Sequence, residues 1–369
     1  MKKLLLAFGM ITVLFPACTK KDNGNNDNND LNRKNMLSNY AENYVIPAYA
    51  NMLGKLTELK TKTESFTATP NEANLDALQQ SWREAYTIWQ RTEMLEFDPA
   101  EDASLRMYMN IYPVSVTKVN SNIASGTYNL EAFGSTDVQG FPALDFLLNG
   151  LAATNADIVG FYITDPLAQN RKKYLQDVVN KMVEKTQTVN NAWASYKTTF
   201  TDRTGTDVNS SLSKMVNAYV LYYERYLRSG KIGLPAGAMT GNALPQLTEA
   251  YYTPSLSNEL AKTALNAVSN FYEGKSYDGA TDGAGIKDYL ASIGTMDKDK
   301  LMSDIISDEM NEAITALNNL NTPIKEAVVN NRPAVLGLYD QLQDVVPLLK
   351  VDMVSAFGIS ITYVDNDGD

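Results

Sequence analysis

Five large apolar residues, Leu75, Leu78, Trp82, Tyr86 and Trp89, stand at steps of 3, 4, 4 and 3. That spacing places them on one stripe of an α-helix and is incompatible with a strand, whose faces alternate every two residues. The same period recurs almost throughout the chain from about residue 36. Leu37, Tyr40, Tyr44, Ala48 and Met52 repeat it, with Pro47 a kink or break. Tyr174, Val178, Met182, Trp193, Tyr196 and Phe200 mark a long helix over about 166–200, and a tyrosine-rich helix follows at 208–228. Further helices are expected at 254–273, 285–293, 298–319 and 323–348. A loop is expected at 230–245, and a strand-like patch around Ile359, Ile361 and Tyr363. The fold class is therefore all-α, two packed helical-bundle domains, at 36–160 and 161–369. A weak echo between AYTIWQRTE (85–93) and AYVLYYERY (218–226) is consistent with a duplicated bundle.

Composition removes whole classes of chemistry. The chain has no histidine, which excludes Ser-His-Asp and Cys-His catalysis and imidazole-ligated zinc. A net charge of −11 argues against nucleic acid, whose phosphates demand a basic face. The single cysteine, Cys18, follows a short basic segment (Lys2, Lys3), an apolar run (Leu4 to Phe15) and Pro16-Ala17. Such a run is shorter than the ~20 residues a spanning helix needs. Residues 1–17 thus read as a lipoprotein signal, Cys18 as the acylated residue, and residues 18–35, rich in Asn and Asp, as a disordered tether. The membrane partner is then reached through the lipid anchor. One cysteine allows no disulfide, so stability rests on packing.

Polar residues on apolar faces are the candidates for function. Glu93 continues the Leu75–Trp89 stripe by another four residues, and a buried carboxylate must be paired, hydrogen-bonded or protonated. Asp145 is the sole polar side chain in PALDFLL (142–148); a helix starting after Gly140 would set it near backbone N–H donors. Glu224 shares the pattern more weakly. Lys231, in GKIGLPAG, reads as a cation at a helix end with Gly233 as the stop. Each of these admits a purely structural role: a core ion pair, a cap, a helix-end charge. Asp365-Asn366-Asp367-Gly368-Asp369 matches the first half of a calcium loop and lacks the distal Glu that closes one.

Three blocks, SWREAYTIWQRTEMLEFDP (81–99), GFPALDFLLNG (140–150) and GKIGLPAG (230–237) followed by EAYYTPS (249–255), jointly resemble the imelysin-like family, also classed as imelysin peptidases. The resemblance is to its lipoprotein branch. It implies two helical bundles with a site near their interface, built around a Gly-x-His-x-x-Glu signature and a Glu of the first block. In this sequence Gly140 matches the signature glycine, Pro142 replaces its histidine, Asp145 replaces its glutamate, and Glu93 is the first-block acid. Proline has no ring lone pair for a metal, so a His-dependent metallopeptidase site is not available. The candidate ligand-binding set is Arg83, Trp89, Glu93, Gly140, Phe141, Pro142, Asp145 and Lys231, with Glu93 and Asp145 as weak candidates to hold iron or calcium. The expected function is a non-catalytic outer-membrane lipoprotein that binds a small polar ligand, a peptide or a metal ion, in iron or metal acquisition. The alternatives are a carboxylate-based hydrolase and a protein–protein adaptor of a membrane complex.

Overall fold

The computed structural model describes residues 23–364. The signal segment, Cys18 and the calcium-like tail lie outside them. Helix α1 (Asn23–Asn39) runs through a π-helical turn (Tyr40–Val45) into α2 (Ile46–Ala68). Pro47, expected as a break, stands in the first turn of α2. It can donate no N–H to a carbonyl one turn back, and the wider π turn accommodates that loss without ending the helix. Asn71 caps α3 (Glu72–Thr92), its side chain accepting from the Asn74 N–H. All five residues of the α3 stripe are buried.

Short elements follow: α4 (Pro99–Asp102), α5 (Leu105–Met109), α6 (Val116–Ser125), α7 (Gly140–Asn149) and α8 (Asn155–Ile163). The 35-residue α9 (Ala168–Asp202) packs along α2 and also meets α5, α7 and α8. A division at residue 160 would cut α9 from the helices it covers, so the first group of packed helices extends to about residue 202.

The second group begins with α10 (Ser211–Leu221), which widens into a π-helical segment (Tyr222–Gly233) and ends in α11 (Leu234–Ala236). Gly233 was expected to stop this helix. The stop is Gly237, four residues later, at φ +67, where a Cβ would lie 1.6 Å from the Asn242 carbonyl oxygen. Gly233 instead admits the ring of Tyr339. Then come α12 (Pro254–Tyr272), α13 (Ile286–Ile293), a two-residue antiparallel hairpin (β1 Met296–Asp297, β2 Lys300–Leu301), α14 (Met302–Asn319), α15 (Ile324–Asn330), α16 (Arg332–Pro347), a π turn (Leu348–Met353) and α17 (Val354–Phe357). Helices α12, α14, α16 and the π segment pack together, and α12 against α3 joins the two groups. One continuous apolar core runs through both.

Two expectations about the ends change. Residues 23–35, assigned to the tether, form most of α1, and Arg33 ties it to the body by donating to Tyr289 Oη (2.7 Å) and to the Thr204 carbonyl. Met36 and Leu37 are fully buried beside it. The strand-like tail is irregular. Asn217 clamps it with its side chain, donating to Ser360 O and accepting from Thr362 N, which takes the place of a neighbouring strand.

Candidate functional site

Where α3 ends it delivers Gln90 and, in a following 3-10 turn, Glu93 to the contact between the two groups. Helix α5 and its cap supply Arg106 and Asn110, the π-helical segment supplies Lys231, and the loop before α12 supplies Glu249. All six side chains are buried. Lys231 Nζ lies 2.7 Å from Glu249 Oε2, 2.6 Å from Gln90 Oε1 and 3.7 Å from Glu93 Oε2. Asn110 Nδ2 donates to Glu249 Oε1 (2.7 Å) and Glu93 Oε1 (3.3 Å), and Tyr86 Oη donates to Asn110 Oδ1 (2.7 Å). Arg106 donates to the Glu93 carbonyl (2.7 Å), lies 4.0 Å from its carboxylate, and stacks 4.0 Å from the Tyr226 ring.

Two cations thus face two carboxylates in the interior. Desolvation of each charge costs several kcal/mol unless it is paired, so these charges must stay matched. Burial pushes Glu93 above the ordinary carboxylate range, and the Glu249 charge adds to this, while Lys231 and Arg106 pull it back.

Beside the network lies a cavity of about 280 Å³ between the α7 entry and the α12 entry. Its walls are Tyr112, Pro113, Val114, Pro142, Asp145, Gln246, Thr248, Ala250, Tyr251 and Tyr252. Asp145 is in the second turn of α7, so the donors expected from the start of its own helix are out of reach. The donors come from another element: the Tyr252 N–H (2.8 Å) and the Thr253 hydroxyl (2.8 Å), joined by the Asn149 amide (3.1 Å). Burial pushes Asp145 up to about 6 against the pull of these bonds. Thr248 is buried, and its hydroxyl has no hydrogen-bond partner.

The sequence candidates therefore divide. Glu93 and Lys231 join the ion network; Pro142 and Asp145 line the cavity. Gly140 sits at φ +72, where a Cβ would stand 2.2 Å from the Met109 carbonyl oxygen, so it seats α7 directly against α5. Phe141 stacks on Tyr86 (centroids 4.4 Å, 6°) and accepts from Trp82 Nε1 through its carbonyl. Trp89 is packed in the core. Arg83 borders a separate groove with Lys55, Gln80, Glu84 and Glu259; its charge still helps to hold Asp145 down.

Sequence reasoning missed Glu249, Arg106, Gln90 and Asn110, and the cavity residues Tyr112, Thr248, Tyr251 and Tyr252. Glu249 opens the third sequence block but sits in a loop, where no period separates a buried acid from a solvated one. Gln90 had a usable signal, being four residues after Tyr86 on the buried side of α3.

Glu93 is paired with Lys231, whereas Asp145 is bonded to Tyr252, Thr253 and Asn149. Among the described residues no group of three or more His, Cys, Asp or Glu is placed to hold a metal ion. The Lys231 ammonium already supplies the positive charge between Glu93 and Glu249.

Fold and site together define an almost entirely helical protein with a charged, buried junction beside a small tyrosine-walled pocket. The chain belongs to the imelysin family: the model of that family, Peptidase_M75, matches residues 45–346. Iron-regulated protein A of Synechococcus elongatus is 23% identical over 274 residues, spanning 74% of this chain and 72% of that protein. Two crystal structures share the fold. One is of a protein described as an iron-regulated protein A precursor from Parabacteroides distasonis (TM-score 0.71, 18% identity, 89% of this chain and 95% of that one). The other is of an imelysin-like protein from Psychrobacter arcticum (TM-score 0.67, 20% identity, 90% and 98%).

Proposed function

We propose that this protein is a non-catalytic binding lipoprotein of the outer membrane, accessory to iron or metal acquisition, whose cavity between Pro142, Asp145 and Tyr252 takes a small polar organic ligand or a peptide end. The observation that carries this reading is the cavity itself, about 280 Å³ in volume, where Asp145 is the one carboxylate among walls rich in tyrosine (Tyr112, Tyr251, Tyr252). Hydrolysis by paired carboxylates needs two acids flanking the scissile bond. Asp145 is the one carboxylate on this wall, and Glu93 is committed to Lys231. The relatives named for regulation by iron supply the physiological setting. The segment ending in Cys18 supports the lipid anchor, and the acidic body supports attachment by acyl chains rather than by charge.

Thermal-shift titration of the full chain with tripeptides, polyamines and ferric citrate tests the binding reading, with Tyr252→Ala as control. Stabilisation by one class that disappears in Tyr252→Ala supports it. Proteolysis of unfolded casein that survives re-purification and is lost in Asp145→Asn would refute it in favour of the hydrolase. Radiolabelled palmitate incorporation, abolished by Cys18→Ser, tests the anchor.

A further inference from the structure

A second cavity, of about 160 Å³, lies on the other side of α3, between the π turn after α1, the end of α3 and α12. Arg91, in the last turn of α3, enters it, with its guanidinium 5.9 Å from the Tyr277 ring centroid. Among the described residues that guanidinium makes no hydrogen bond and no ion pair. Thr263 and Asn270, two turns apart on one face of α12, line the same space, and their side chains make no hydrogen bond among the described residues. Asp278 borders the opposite rim. Its Oδ1 is fixed by the Ser276 hydroxyl (2.6 Å) and the Ala280 N–H (3.0 Å). Arg91 and Asp278 share this cavity yet form no ion pair with each other. The rings of Tyr44 and Tyr277, edge to face at 5.8 Å, close the wall.

Half-buried Arg91 and exposed Asp278, on the lining of one cavity and not paired with each other, can both be engaged by one bridging molecule that carries the opposite charges. We propose that this cavity is a binding site for a small zwitterion, a free α-amino acid with a short side chain. The carboxylate takes the planar fork of Arg91, with Thr263 and Asn270 as further partners. The ammonium faces Asp278 and the tyrosine rings. The volume of about 160 Å³ admits glycine, alanine or serine whole. This site is independent of the Tyr252 pocket.

The test is calorimetric titration of the full chain with glycine and L-alanine, and with acetate and ethylammonium as half-molecules. The expected result is saturable alanine binding below about 10 mM, with each half-molecule at least about tenfold weaker. Arg91→Lys keeps the charge but loses the fork, and weakens alanine by about tenfold or more. Asp278→Asn brings alanine down to the level of acetate. Tyr252→Ala leaves alanine binding unchanged. The proposal is overturned by the absence of saturable binding to folded wild-type protein, by acetate binding as well as alanine, by indifference to Arg91→Lys, or by loss in Tyr252→Ala. An unchanged melting temperature of Arg91→Lys, which breaks no hydrogen bond or ion pair and leaves a cation beside Tyr277, separates lost binding from lost fold.

Discussion

Replacing Lys231 by methionine removes the cation that lies 2.7 Å from Glu249 and 3.7 Å from Glu93 while nearly preserving volume. Breaking a buried pair by deleting one partner costs about 3–5 kcal/mol. The lower half of that range is expected here, because the Asn110 and Gln90 amides still donate to Glu249 Oε1 and Arg106 still faces Glu93. With an unfolding entropy of about 2.1 cal/mol/K per residue, 369 residues give roughly 0.8 kcal/mol per degree, so the melting temperature falls by about 4–5 °C. The loss depends on pH in a fixed direction. Burial already raises Glu93 above its unfolded value, and without Lys231 the main opposing pull is gone. Stability is then retained below about pH 4 and lost as pH rises through the folded values. Adding Glu249→Gln recovers most of the loss, because the new amide can donate to Gln90 Oε1, which Lys231 occupied at 2.6 Å. Circular-dichroism melts of the three variants from pH 4.5 to 8 measure all of this. A Lys231→Met protein within 1 °C of wild type at pH 7.5, or a double variant no better than the single, would show that the junction is not an obligatory ion pair.

Gly140→Ala combines a left-handed backbone with a Cβ 2.2 Å from a carbonyl oxygen. It should lower stability by at least about 3 kcal/mol, read by denaturant melts; a soluble variant with wild-type midpoint refutes the close approach. Thr248→Val exchanges an unbonded buried hydroxyl for a methyl, so it should leave stability equal or higher by about 1 kcal/mol in denaturant melts, and a clear loss would show that the hydroxyl is bonded. Burial raises Asp145 from 3.8 to about 6. Its contribution is therefore fully present below pH 4 and declines by on the order of 3 kcal/mol as pH rises through 6. The stability difference between wild type and Asp145→Asn should shift by that order between pH 4 and 7, and a constant difference would contradict the shift. Tyr86→Phe removes the hydroxyl that donates to Asn110 and should cost about 1 kcal/mol by chemical denaturation; a larger loss would mean that the ring, not the bond, had moved.

How legible the site was depended on periodicity. Glu93 announced itself because it extends a stripe of buried residues, and Asp145 because its neighbours are all apolar. In both cases the sequence signalled burial and left the partner open. Glu93 found Lys231, 138 positions later in the chain, and Asp145 found the backbone of Tyr252. Lys231 looked like a terminal cation because a regular α-helix would have ended near Gly233. The π-helical segment continues past it and turns the lysine inward. Arg83 and Trp89 share a helix with the network but point elsewhere.

Helical class, the lack of imidazole chemistry and the acidic balance were determined by residue types and a 3.6-residue period, which act locally and need no partner. Which buried acid meets which base, and which loop closes a pocket, was decided only when α3, α5, the π segment and the α12 entry converged. Electrostatic pairing at 3 Å between residues more than a hundred positions apart is a property of packing, and a linear pattern carries no term for it.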